Sequence, residues 1–257
     1  MKLQIAFTLS LIAATLTLVT APAQAFSGFS FTTNYSPKPA DPRKDIKLES
    51  VTYGGKTIGN FGLVDQAKIQ ANGTSIGPGS SDHGDDTVSD AYLPEGPKVE
   101  KPTNADVVAS LGNLNLNSII DTEDNRGTSI IDVYFKKAAR TFYFFERGMN
   151  SDLKVEALDA AGTVMDHYTI TRALFHANPT GYSLNTTEID GAQRVGSYGL
   201  TLGHNVVGLR LSSDNTMNGA DYKVVAKVPE PTAIVGLGLV VGVAALSRRK
   251  KNQLTAQ

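Results

Sequence analysis

The densest gathering of hard oxygen ligands in the chain is SDHGDDTVSD, which places Asp82, Asp85, Asp86 and Asp90 within one loop-like stretch. Four carboxylates this close repel one another, and a bound cation would relieve that repulsion. Carboxylate oxygens are the ligands that calcium takes, so calcium is the one cofactor the sequence suggests. The competing reading is a hydrated acidic loop. A second stretch, DNTMNGAD, opens like an EF-hand loop with Asp214, Thr216, Asn218 and Gly219, but its twelfth position is Val225. The bidentate acid is missing there, so the stretch reads as an Asn-Gly turn between two strands. His83, His167, His176 and His204 include no pair at the i, i+4 spacing of a zinc-binding helix.

Catalytic arrangements are no stronger. Cysteine is absent, which removes thiolate nucleophiles, zinc-thiolate sites and disulfides together. VGSYG approaches a nucleophile elbow, yet Val195 stands where the leading glycine belongs, and Ser197 reads better as part of a glycine-containing strand. Paired carboxylates for glycoside hydrolysis are a spatial arrangement, and Glu146 with Glu156 or Asp159 is the first combination to inspect. The aromatic run TFYFF (Thr141 to Phe145) offers a sugar platform, but four successive aromatics put bulk on both faces of a strand, as in a buried central strand. The sequons at Asn72 and Asn185 only suggest exposed loops and do not establish glycosylation.

These residues are carried by short, turn-punctuated apolar runs. IKLESVTY (Ile46 to Tyr53) alternates and stops at Gly54-Gly55, a hairpin signal before KTIGNFGLV. TSIIDVYF (Thr128 to Phe135) and RTFYFFE (Arg140 to Glu146) are β-branched and aromatic, separated by Lys136-Lys137. DLKVEALDAAGTVMDHYTI pairs two strands across an Asp-Ala-Ala-Gly turn, and QRVGSYGLTL, VVGLRLSS and DYKVVAKV complete the body. No helix of any length is expected there. The stretch from Asn72 to Asp106 is rich in Gly, Pro, Ser and Asp and reads as a long loop. The pattern predicts an all-β protein with a single jelly-roll-like β-sandwich over residues 26–227.

Both ends of the chain read as addresses. Lys2, an apolar stretch from Ile5 to Val19, Pro22 and the small-x-small Ala23-Gln24-Ala25 form an expected signal peptide over residues 1–25. At the other end, Val228-Pro229-Glu230-Pro231 precedes an apolar helical segment (232–247) and the cations Arg248, Arg249, Lys250 and Lys251. Its 14 apolar residues from Ala233 to Leu246 include Gly236, Gly238 and Gly242. Even with Thr232 and Ser247, a helix here spans only ~24 Å against a ~30 Å hydrocarbon core, and is a weak permanent anchor. The basic block is a stop-transfer signal. Between Phe26 and Pro231 lie 19 cations and 25 acids, a net of −6, whereas the whole chain carries −1. That body lacks the basic stripe nucleic-acid binding requires.

The Pro-Glu-Pro triplet, apolar helix and terminal basic block (228–257) resemble the sorting tail of PEP-CTERM proteins. A fainter likeness to an exosortase-dependent surface protein family lies in FYFFERGMNSDLKVEALDAAG (Phe142 to Gly162) and LRLSSDNTMNGADYKVVA (Leu209 to Ala226). The resemblance implies export with signal peptidase and exosortase as processing partners. It further implies transient residence in the inner membrane of a Gram-negative-type bacterium, then display at the cell surface or in the extracellular matrix, with extracellular polysaccharide as a candidate partner. It implies no catalytic residues. The expected function is structural or adhesive and non-enzymatic. The alternatives are a carbohydrate-binding module, calcium-dependent through the four aspartates, and a secreted hydrolase.

Overall fold

The computed structural model describes residues 26–72, 79–83, 99–122, 127–185 and 191–229. The chain opens with β1 (Ser27–Phe29), β2 (Thr32–Ser36), β3 (Lys47–Tyr53), β4 (Lys56–Ile58), β5 (Phe61–Gly62) and β6 (Val64–Asn72). β7 (Gly79–His83) and β8 (Val99–Glu100) come next, then α1 (Asn104–Leu111) and β9 (Ser118–Thr122). The long β10 (Thr128–Arg147) leads to β11 (Leu153–Leu158), β12 (Val164–Ile170), α2 (Arg172–His176) and β13 (Pro179–Leu184). A second long strand, β14 (Gln193–Asp214), and β15 (Asp221–Lys227) finish the fold. It is all-β, antiparallel and sandwich-like.

β10 and β14 form its spine. The first half of β10 pairs with β6 on one side and with Gly208 to Asp214 of β14 on the other, and β11 and β12 extend that layer beyond β14. The second half of β10 lies between Val195 to Thr201 of β14 and β15, and β9, β7 and β8 continue outward from β15. Between the halves the strands fold back. β10 advances five residues from Tyr134 to Ala139 while β14 advances two from Gly208 to Val206. The imbalance then reverses, with two residues on β10 from Ala139 to Thr141 set against five on β14 from Val206 to Thr201. Opposed excesses of this kind make a sharp corner without losing overall register. The ring centroids of Phe135 and Phe142 meet 5.4 Å apart across it.

Strand alternation then divides the aromatic run between two cores. Phe142 and Phe144 face the space between the two layers, with Ile131, Val133, Val155, Leu209 and Leu211. Tyr143 and Phe145 face the other way, into a second core closed by Phe31, Leu48 and Val51 from and beside the small β2-β3-β4 sheet. The reading of TFYFF as a central strand buried on both faces therefore holds. So does the hairpin at Gly54-Gly55, where φ of +58° and +73° at the two central residues gives the turn that suits twisted strands. Gly199 serves close packing: a Cβ there would lie 2.3 Å from the Phe29 ring.

Two expectations need correction. Helices are present. α1 starts inside the stretch read as a long loop, where Thr103 and Asp106 form a reciprocal capping box that satisfies first-turn amides. Val107 and Leu111 then bury its apolar side. β7 and β8 also pair within that stretch. In addition, Lys136-Lys137 does not end a strand, because β10 and β14 each run through the corner as one element.

Candidate functional site

Much of what the sequence singles out lies outside the described residues, including Asp85, Asp86, Asp90, Glu230, Pro231 and Arg248 to Lys251. The backbone of Asp82 is in β7, opposite Ile119 of β9. Among the described residues no group of three or more His, Asp or Glu converges as a metal site. Nor is any helix among them long and apolar enough to cross a membrane. His167 is exposed on β12 as a surface histidine, His176 stands in the last turn of α2, and His204 is at the corner in β14. Ser197 is buried within β14, and its N–H donates to the Asn178 carbonyl at 2.9 Å.

The three candidate carboxylates differ in partners and burial. Glu156 receives Lys154 Nζ at 2.6 Å. Asp159 accepts the Ala161 and Thr163 N–H groups, each at 2.8 Å, and so holds the β11–β12 turn. Glu146 is fully buried at the end of β10.

Glu146 belongs to a buried ionisable group that the sequence does not advertise. Arg147 Nη1 lies 3.2 Å from Asp221 Oδ2, its Nε donates to the Leu184 carbonyl at 3.4 Å, and its Nη2 to that of Gly191 at 3.4 Å. Asp221 Oδ1 accepts the Thr122 N–H at 3.0 Å, and the Asp121 side chain hydrogen-bonds to the same carboxyl. Burial, reinforced by the negative charge of Glu146, raises the Asp221 carboxyl to about 7, against the opposing pull of Asp121 and Arg147. These groups tie β9, β10, β15 and the end of β13 together at one end of the sandwich.

Lys223, two residues along β15 from Asp221, is a second buried charge that joins elements. Its Nζ donates to the carbonyls of Ser110 (2.9 Å) and Ser118 (3.0 Å) and to Asn113 Oδ1 (3.1 Å). The last turn of α1 has no basic residue of its own, so β15 supplies the cation that the helix C-terminus favours. Lys223→Met keeps the length and removes the donors; we expect it to cost about 2 kcal/mol because buried carbonyls lose their partner, read as a lower urea midpoint at constant m. On the opposite layer, Asp132 accepts both Nε and Nη2 of Arg210 (2.7 and 3.0 Å) and Gln70 Nε2 (2.6 Å).

The remaining features lie where the chain leaves the domain. β15 ends at Lys227, Val228 N–H reaches the Asn60 carbonyl at 3.4 Å, and Pro229 is exposed. Two open grooves flank this exit. One, of about 560 Å³, is lined by Arg140, Thr141, His204, Lys227 and Pro229 among others. The second, of about 440 Å³, has Phe61, Leu63, Asp65, Lys136, Lys137 and Val228 in its wall. Comparison with protein-family models, curated proteins and solved structures finds no match.

Proposed function

We propose that the chain is an exported protein of PEP-CTERM type, sorted through its tail by an exosortase and displayed at the cell surface or in the extracellular matrix. There its domain, read in finer detail as a jelly-roll-like sandwich, has a structural or adhesive role. The observation that carries the reading is the exit itself. A membrane enzyme that recognises Pro-Glu-Pro needs the triplet clear of the folded body, and Pro229 is exposed just beyond the end of β15. The strand ahead of it lies inside the sheet between β10 and β9, so ladder hydrogen bonds along Phe142 to Arg147 resist tension applied to the tail. A mildly acidic body agrees with an extracellular protein that does not bind nucleic acid.

Intact-mass measurement on the protein from its native host tests this. The expected product begins at Phe26 and ends near the Pro-Glu-Pro triplet, and deletion of the exosortase leaves the tail in place. A mature chain that still ends at Gln257 in the unmodified host overturns the reading.

A further inference from the structure

Exposed positive charge gathers at the corner. The three residues β10 has in excess there include Lys136 and Lys137, both exposed, and Arg140 follows one residue after Ala139 and is also exposed. The excess on β14 brings Gly203, His204 and Asn205 to the same corner. Together with Lys227 these residues ring the exit of the chain, across the two grooves. Among the described lining residues Asp65 is the one acid, and among the described ion pairs none takes up Lys136, Lys137 or Arg140. At the far end Arg147 pairs with Asp221, and Arg172 with Asp152 at 3.2 Å.

We propose that this cationic collar is a docking face for the anionic phosphate headgroups of the membrane that holds the tail. The proposal rests on the reading of the tail as membrane-inserted. Ala233, where the apolar run begins, follows Pro229 by four residue steps. Fully extended they reach at most ~14 Å, and the Debye length at physiological ionic strength is ~8 Å. Insertion of the apolar run therefore brings this end of the sandwich within electrostatic range of the bilayer. Clustered Lys and Arg beside a membrane segment attract anionic lipid. The grooves are open, and Phe61 is their one described aromatic lining residue, which fits a broad charged surface better than a sugar-stacking pocket.

Amine labelling with mass-spectrometric readout tests the face on the chain from Phe26 to Gln257, with its sorting tail retained. The protein is reconstituted in vesicles of phosphatidylcholine alone and of equimolar phosphatidylcholine and phosphatidylglycerol. Labelling of Lys136 and Lys137 is expected to fall roughly fivefold in the anionic vesicles and to recover in high salt. Lys154, which pairs near the far end of β14, should not change. The triple variant Lys136→Glu, Lys137→Glu, Arg140→Glu alters exposed positions only and should abolish the lipid-dependent protection of Lys227. Equal labelling in the two lipids overturns the proposal, as does protection by a soluble acidic polysaccharide without protection by the anionic vesicles. Flotation with phosphatidylcholine alone reports the tail separately. A chain that floats there yet labels equally keeps the tail reading and loses the docking face; one that fails to float overturns both.

Discussion

Arg147→Ala is expected to destabilise the domain by about 3–5 kcal/mol, the cost of removing one partner from a buried ion pair. The guanidinium has no solvent exposure, and its donors are committed to Asp221 and to the Leu184 and Gly191 carbonyls. Truncation leaves the carboxyl groups of Asp121, Asp221 and Glu146 crowded together without their arginine, and it leaves two carbonyls short of a donor. It also opens space among the largest fully buried side chains of the protein. Against a typical domain stability of about 5–15 kcal/mol, such a loss removes a large share of the margin. Arg147→Lys keeps a charge but replaces a planar fork with a single ammonium, so it should recover only a fraction of the loss. Urea unfolding decides the matter: a midpoint lowered at constant m is expected, and a loss under about 1 kcal/mol would mean that water enters and solvates the acids.

The strands were legible because their pattern is local. Phe142 to Phe145 are contiguous and apolar on both faces, and Gly54-Gly55 admits positive φ at adjacent positions, so neither inference needs tertiary information. The corner was half legible. Lys136-Lys137 marked a discontinuity, but the compensating excess at Gly203 to Asn205 restores the pairing and makes it a bend within two continuous strands. α1 was hidden by composition, although Thr103-x-x-Asp106 ahead of Val107, Val108 and Leu111 carries its start signal. The buried ionisable group was beyond reach, because Asp121, Glu146, Arg147 and Asp221 are brought together only by the β9–β15 and β10–β15 pairings. Its one local trace is an acid and a base placed directly after four buried aromatics, which in sequence looks like an ordinary strand end. The acidic loop and the tail are read from sequence alone, and Asp85, Asp86, Asp90 and Glu230 lie outside the described residues.

The same cluster should make the domain lose stability as pH rises through neutrality, opposite to the usual behaviour of paired carboxylates. Asp221 has a folded value of about 7, against an ordinary aspartate near 3.9 when unfolded. Below about pH 4 both states hold the proton, and the group contributes its full stabilisation. Between about pH 4 and 7 the folded state keeps a proton that the unfolded state has released, so rising pH favours unfolding by up to about 1.4 kcal/mol per unit. The total reaches at most about 4 kcal/mol and levels off above pH 7. Asp106 and Asp214 act in the opposite sense: hydrogen bonds from Thr103 and Thr216 depress them, so their contribution is lost only as pH falls through the acid range. A stability maximum near pH 4–5 follows, and chemical denaturation between pH 5 and 8 isolates the effect of Asp221. Asp221→Asn separates this cause from the other titrations. Its amide oxygen can still accept the Thr122 N–H, but its NH₂ group then replaces Oδ2 and sets a donor against Arg147 Nη1, and no charge develops at any pH. The variant should show a nearly flat profile over that range and lie below the wild type, because Arg147 loses its buried counter-charge. A variant that keeps the wild-type slope would place the titrating proton elsewhere in the cluster, with Asp121 as the next carboxyl to replace.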